Sequence, residues 1–179
     1  RHALIMTDKT KFTGAQKGLQ DRLLQMYAGD ELVVATYNCK TGIEIAFTET
    51  AKSSYGDELG DEADLVADVL EKARSCVSAE EQKHVTLGDD GKSVKLHKQQ
   101  VSVLYDSLKD IKHCNRVVVI TGEMGGRGVA YHDSDNTRIL TDMFASWPVP
   151  DRTQVCVHAE GLKSACTQKA QVCVHAESL

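Results

Sequence analysis

The feature that most constrains this chain is a set of short apolar runs separated by helix-length amphipathic stretches. Ala3-Leu4-Ile5-Met6, Leu32-Val33-Val34-Ala35-Thr36 and Arg116-Val117-Val118-Val119-Ile120 are too short for helices and lack polar alternation. Such runs read as strands buried on both faces, the habit of parallel sheets. Between the first two, Leu19, Leu23, Leu24 and Met26 recur at helical spacing, and Gly29-Asp30 ends the stretch. Thr13, with Gln16 three residues on, reads as a capping-box start. Together they make a strand–helix–strand unit, whose natural closure is a right-handed parallel crossover.

Further along, Glu44-Ile45-Ala46-Phe47-Thr48 reads as another short strand, with Gly42 in the turn before it, and residues 53–61 read as a loop. Leu65, Val66, Val69, Leu70 and Ala73 mark an amphipathic helix ending near Cys76. Gly88-Asp89-Asp90-Gly91 is a turn between two short segments, the pattern of a hairpin tip. Val101, Leu104, Leu108 and Ile111 define a helix from about Lys98 to Lys112, and residues 137–144 read as one more strand. The expected architecture is a three-layer α/β domain with a mostly parallel sheet of about five to seven strands. A 179-residue chain with 41% hydrophobic and 26% charged residues suits one such domain. We place it over residues 1–165, with 166–179 as a C-terminal extension whose role the sequence does not define.

A net charge of -5 excludes a wholesale basic protein that coats nucleic acid, while leaving room for a local basic groove. The acids gather between Glu44 and Glu81, and Lys9, Lys11, Lys17 and Arg22 lie in a stretch of opposite sign. No apolar run approaches the ~18 residues of a membrane span, and no secretory signal pattern is present. The expected location is therefore intracellular, with no membrane partner. The chain begins with Arg1, as a piece of something longer would. Of six cysteines, Cys39, Cys76 and Cys114 stand alone, and reduced, packed thiols are expected. Cys156-x-His158 recurs as Cys173-x-His175, a pairing compatible with zinc. The alternating Val155, Val157, Val172 and Val174 read instead as strands with one buried face, and no metal site is assigned.

Directly after the strongest strand comes Thr121-Gly122-Glu123-Met124-Gly125-Gly126-Arg127-Gly128. A glycine-rich loop at the carboxyl end of a parallel strand is where open α/β sheets bind ligands. Glycines let backbone N–H groups approach an anion, and an arginine adds a permanently charged fork suited to phosphate. No Gly-Lys-Ser/Thr follows the loop and the dinucleotide spacing is absent, so it is neither a Walker A loop nor a Rossmann fingerprint.

The run VVVITGEMGGRGVAYHDSD resembles the fifth motif of superfamily-two helicases: a strand ending in Thr, a small-residue loop, then Arg-Gly-hydrophobic. Thr121, Gly122, Gly126, Arg127, Gly128 and Val129 carry the match. The order of HALIMTDKTK, ELVVATYN, the motif strand and TRILTDMF is similar to the second, C-terminal RecA-like domain of such motors. The resemblance implies a lobe that helps form an ATP and Mg2+ cleft with an N-terminal RecA-like partner lobe and touches a DNA or RNA backbone. It implies that Gly126, Arg127 and Gly128 face the nucleotide, with Arg127 as the catalytic candidate. Thr7, Lys9, Lys11, Thr121 and Gly122 become the nucleic-acid contacts. One departure stands out: where a sixth motif should supply two arginines, residues 154–163 offer only Lys163. Lysine is a poor substitute for an arginine finger, and the Walker A and acidic Mg2+-binding motifs that the resemblance places in the partner lobe are not in this sequence, so the chain alone is expected not to hydrolyse ATP.

Two other readings use the same sequence. A non-catalytic α/β interaction module within a larger assembly accommodates the missing arginines. His132, Asp133 and Asp135 have the types of a hydrolase metal cluster, although acids in such a stretch more often bond their local backbone as turn formers.

Overall fold

The computed structural model describes residues 1–6, 13–38, 41–60, 63–122, 129 and 131–145. In chain order the elements begin with β1 (His2–Met6), α1 (Thr13–Met26), β2 (Val33–Asn38), β3 (Gly42–Phe47), α2 (Glu49–Leu59) and α3 (Leu65–Ser75). They continue with β4 (Val85–Leu87), β5 (Ser93–Leu96), α4 (Val101–Leu108), β6 (Val117–Thr121) and β7 (Asp142–Ala145). Single 3-10 turns at Gln82–His84 and Lys112–Cys114 precede β4 and β6.

The strands form one seven-stranded sheet in the order β4-β5-β3-β2-β6-β1-β7. Pairing is parallel from β2 through β6 and β1 to β7, so the apolar runs and the last strand are parallel neighbours, as expected. β3, β5 and β4 extend the β2 side by antiparallel pairing, and β4–β5 is the hairpin predicted around Gly88-Asp89-Asp90-Gly91. The class is α/β, and the sheet is mixed.

Register assigns the side chains to faces, because paired residues point the same way. Val34, Ile120 and Val118 meet Leu19, Leu23 and Leu24 of α1 on one face. Leu4, Val33, Ala35, Ile45 and Val119 face the other way, against Ala51, Val69, Leu104 and Leu108 of α2, α3 and α4. That makes three layers. Leu4, Val33, Val119, Leu104 and Leu108 are all 0% exposed. Burying such a side chain contributes about 1.5–3 kcal/mol relative to exposure, so this second face carries most of the hydrophobic stabilisation.

The structure corrects the sequence reading in three places. Residues 53–61, read as a loop, lie largely within α2, which begins at a Thr48 cap whose hydroxyl accepts from the Ala51 N–H at 3.4 Å. The helix expected from Lys98 to Lys112 spans only Val101–Leu108, because the Ile111 N–H bonds back to Leu108 O at 3.1 Å and tightens the chain into a turn. The strand expected over 137–144 begins at Asp142, because residues 133–138 are occupied by a turn built around Asp133. The C-terminal Cys and His pairs, the two short strands expected around Val155–Val157 and Val172–Val174, and the 165/166 boundary lie outside the described residues.

Candidate functional site

The carboxyl ends of β1, β6 and β2 lie side by side: Met6 is in register with Thr121, and Thr121 with Tyr37. The connections leaving β1 and β6 reach opposite faces of the sheet. β1 leads to α1, over Val34 and Ile120. β6 leads back toward β7 through Tyr131 and Leu140, which pack on the opposite face with Leu4 and Val119. Adjacent parallel strands whose connections part to opposite faces leave a crevice outside their carboxyl ends, the usual ligand position in open α/β sheets.

Buried polar groups brace the rim of this crevice. Thr121 is 1% exposed, its hydroxyl donates to Gly122 O at 3.3 Å, and it shares a side-chain hydrogen bond with Tyr131. Burial raises the Tyr131 hydroxyl's pKa, so it stays protonated across the physiological range. On the α1 side, the Asn38 amide donates to Gln16 Oε1 at 3.4 Å. The Gln20 amide donates to Val34 O at 2.8 Å and to Glu44 O at 3.3 Å. Gln16 and Gln20 are buried. Buried amides with partners are expensive to displace, so the first turns of α1 are locked over β2 and β3.

Beside this rim, on the α1 face, a cleft of about 450 Å³ opens between the start of α1 and the β4–β5 turn. Lys17, Glu44, Asp89, Asp90 and Lys95 line it. Both its lysines are paired, Lys17 Nζ 2.8 Å from Glu44 Oε1 and Lys95 Nζ 2.7 Å from Asp89 Oδ2, while Asp90 accepts from the Lys92 N–H and the Ser93 hydroxyl. Burial opposes the charge on Lys17, but the Glu44 bond together with the charges of Glu44, Asp21 and Asp90 outweighs it and raises the ammonium's pKa. A Gly91-Lys92-Ser93 step also borders this region, but it enters strand β5 from a hairpin rather than opening a helix. It therefore lacks the strand-to-helix setting of a phosphate loop.

Of the residues singled out from sequence, Thr121 and Gly122 lie at the crevice. Thr7, Lys9, Lys11, Gly126, Arg127 and Gly128 lie outside the described residues. The acids after the loop are accounted for as turn formers. Asp133 is 0% exposed and accepts from the Thr137 N–H at 2.7 Å, the Arg138 N–H at 3.1 Å and the Thr137 hydroxyl. Asp135 pairs with Lys109, and His132 Nδ1 lies 2.6 Å from Asp133 O. Among the described residues, no three His, Cys, Asp or Glu side chains are grouped to hold a metal ion. Sequence reasoning missed Tyr131, Gln16, Gln20 and Asn38 as parts of the rim. The two glutamines lie among the helical positions of α1, and nothing local marks them as buried.

No helix among the described residues is long and apolar enough to cross a membrane. Compared with known proteins, the chain has no significant match to a family model, a curated protein or a solved structure.

Proposed function

We propose that the chain is the C-terminal RecA-like lobe of a superfamily-two helicase or translocase, which grips a nucleic-acid backbone at the crevice between β1 and β6. The observation that carries this reading is the parting of the β1 and β6 connections to opposite faces, beside the Met6–Thr121 register pair. The glycine- and arginine-bearing segment begins where β6 ends, and the Thr7, Lys9 and Lys11 segment where β1 ends. Both supply chemistry suited to phosphate oxygens. In this reading Thr7, Lys9, Lys11, Thr121 and Gly122 meet backbone phosphates, and Gly126, Arg127 and Gly128 stand between nucleic acid and nucleotide. ATP and Mg2+ belong to a cleft completed by an N-terminal RecA-like partner lobe. The missing sixth-motif arginines favour a second reading, a non-catalytic interaction module on the same scaffold.

Fluorescence anisotropy with labelled single-stranded DNA and RNA, titrated between low and moderate salt, tests the proposal. Binding should weaken as salt rises. Arg127→Ala should lower affinity and flatten the log–log slope by about 0.7 for each phosphate no longer neutralised. Affinity and slope unchanged in Arg127→Ala, and in Lys9→Ala combined with Lys11→Ala, would favour the interaction module.

A further inference from the structure

At the opposite, amino edge of the sheet, a histidine is clamped between two carboxylates contributed by different elements. His113 lies in the 3-10 turn before β6 and is 7% exposed. Its Nδ1 is 2.8 Å from Oε1 of Glu31, in the approach to β2. Its Nε2 is 2.7 Å from Oε2 of Glu58, in the last turn of α2. Ionised carboxylates only accept hydrogen bonds, so both ring nitrogens must donate, and only the imidazolium carries two N–H groups. A neutral ring satisfies one carboxylate and turns a lone pair toward the other.

What the clamp holds is a thinly attached helix. α2 buries only Ala51 and Tyr55 of its eleven residues. Beyond those two side chains, its C-terminal half is tied by a Ser54–Glu31 side-chain hydrogen bond, by the Tyr55 hydroxyl donating to Asp68 Oδ2 of α3 at 2.8 Å, by Lys112 Nζ 3.1 Å from Glu58 Oε2, and by His113. The Lys112 pair is exposed, the kind that contributes little. The Tyr55 and His113 rings pack T-shaped, with centroids 6.4 Å apart and planes at 89°.

We propose that His113, with Glu31 and Glu58, is a pH-operated latch: protonated, it pins the C-terminal end of α2 to the base of the sheet, and deprotonated, it lets that end swing free and uncover Tyr55. The neighbouring groups leave His113 as the one that switches. Burial disfavours its charge, but the bonds and charges of Glu31 and Glu58 outweigh this and raise its pKa above the ordinary 6.5. The same bonds hold both glutamates below the usual carboxylate range, so they remain ionised throughout. Burial pushes the Tyr55 hydroxyl and the Cys114 thiol up to about 12, beyond the working range. A group whose pKa is raised by folding contributes its stabilisation fully below the unfolded value and loses it as pH rises through the folded value. The latch is thus closed below about pH 6.5 and opens on the alkaline side.

Hydrogen exchange of the whole chain, read by mass spectrometry across about pH 6–9.5 and corrected for intrinsic rates, tests this. Protection over Glu49–Leu59 should fall by up to about tenfold per pH unit between the unfolded and folded pKa values, while β1 and β6 keep theirs. His113→Gln should give low α2 protection at every pH, with no pH dependence of its own. Should that variant fail to fold, an NMR titration of the wild-type ring decides: a His113 midpoint above 6.5 that drops in Glu58→Gln supports the latch. A flat wild-type exchange profile, a midpoint at or below 6.5, or pH dependence persisting in His113→Gln overturns it.

Discussion

Replacing Asp133 with alanine removes one buried carboxylate that serves three donors: the Thr137 N–H, the Arg138 N–H and the Thr137 hydroxyl. A hydrogen bond to a charged group contributes about 1.5–3 kcal/mol. The three do not add in full, because Thr137 is exposed and water can take up its freed N–H. We therefore expect a loss of about 3 kcal/mol, which for a chain of this size lowers Tm by about 6–12 °C. Asp133→Asn keeps one acceptor oxygen and should lose about half as much. The pH dependence has a definite sign. Burial alone would raise the carboxyl's pKa, but the bonds from Thr137 and Arg138 outweigh it and hold it below the ordinary 3.8. This stabilisation is present above that value and is lost as pH falls through the lower folded one. Urea and thermal unfolding followed by circular dichroism, at neutral pH and in acid below the ordinary carboxylate pKa, measure both effects. An Asp133→Ala protein of unchanged stability that has lost a metal-dependent hydrolase activity would refute the reasoning and restore these acids to catalysis.

Three further outcomes follow from the same structure. Gly42 has φ +82, and a Cβ there would sit 2.2 Å from Leu96 O, so Gly42→Ala should part β3 from β5 and cost about 2–4 kcal/mol in urea unfolding. Leu4→Ala, in β1 at 0% exposure, should cost about 2–5 kcal/mol by the same measurement. The chain alone should show no ATP turnover above background in a phosphate-release assay; turnover abolished by Arg127→Ala would mean a complete site within it.

β1, β2 and β6 were legible because they are short apolar runs, too short for helices and without polar alternation. α3 was legible because Leu65, Val66, Val69, Leu70 and Ala73 keep one face apolar, behind an Asp64 cap. α2 was not, because its sequence, with two serines, Gly56 and several charges, carries almost no apolar stripe and buries only two side chains. Its readable signal was the cap at Thr48, whose hydroxyl also donates to Asp30 O at 2.6 Å. The start of β7 was misjudged because Thr137, Arg138, Ile139 and Leu140 have strand-like composition, while the Asp133 side chain captures the first two backbone N–H groups for a turn. Antiparallel pairing of β3 with both β2 and β5 is a tertiary choice that no local pattern announces. At the candidate site, the parting of the β1 and β6 connections depends on strand order, which a single sequence does not display.

In the proposed function a phosphate backbone lies at the carboxyl edge between β1 and β6. Amide chemical-shift mapping of the labelled chain with a short single-stranded oligonucleotide, repeated with inorganic phosphate, tests it most directly. The signals of Met6, Thr121 and Gly122 should move together on titration, and the movement should shrink as salt rises. Shifts confined to the Lys17, Asp90 and Lys95 cleft, or no shifts with either ligand, would contradict it.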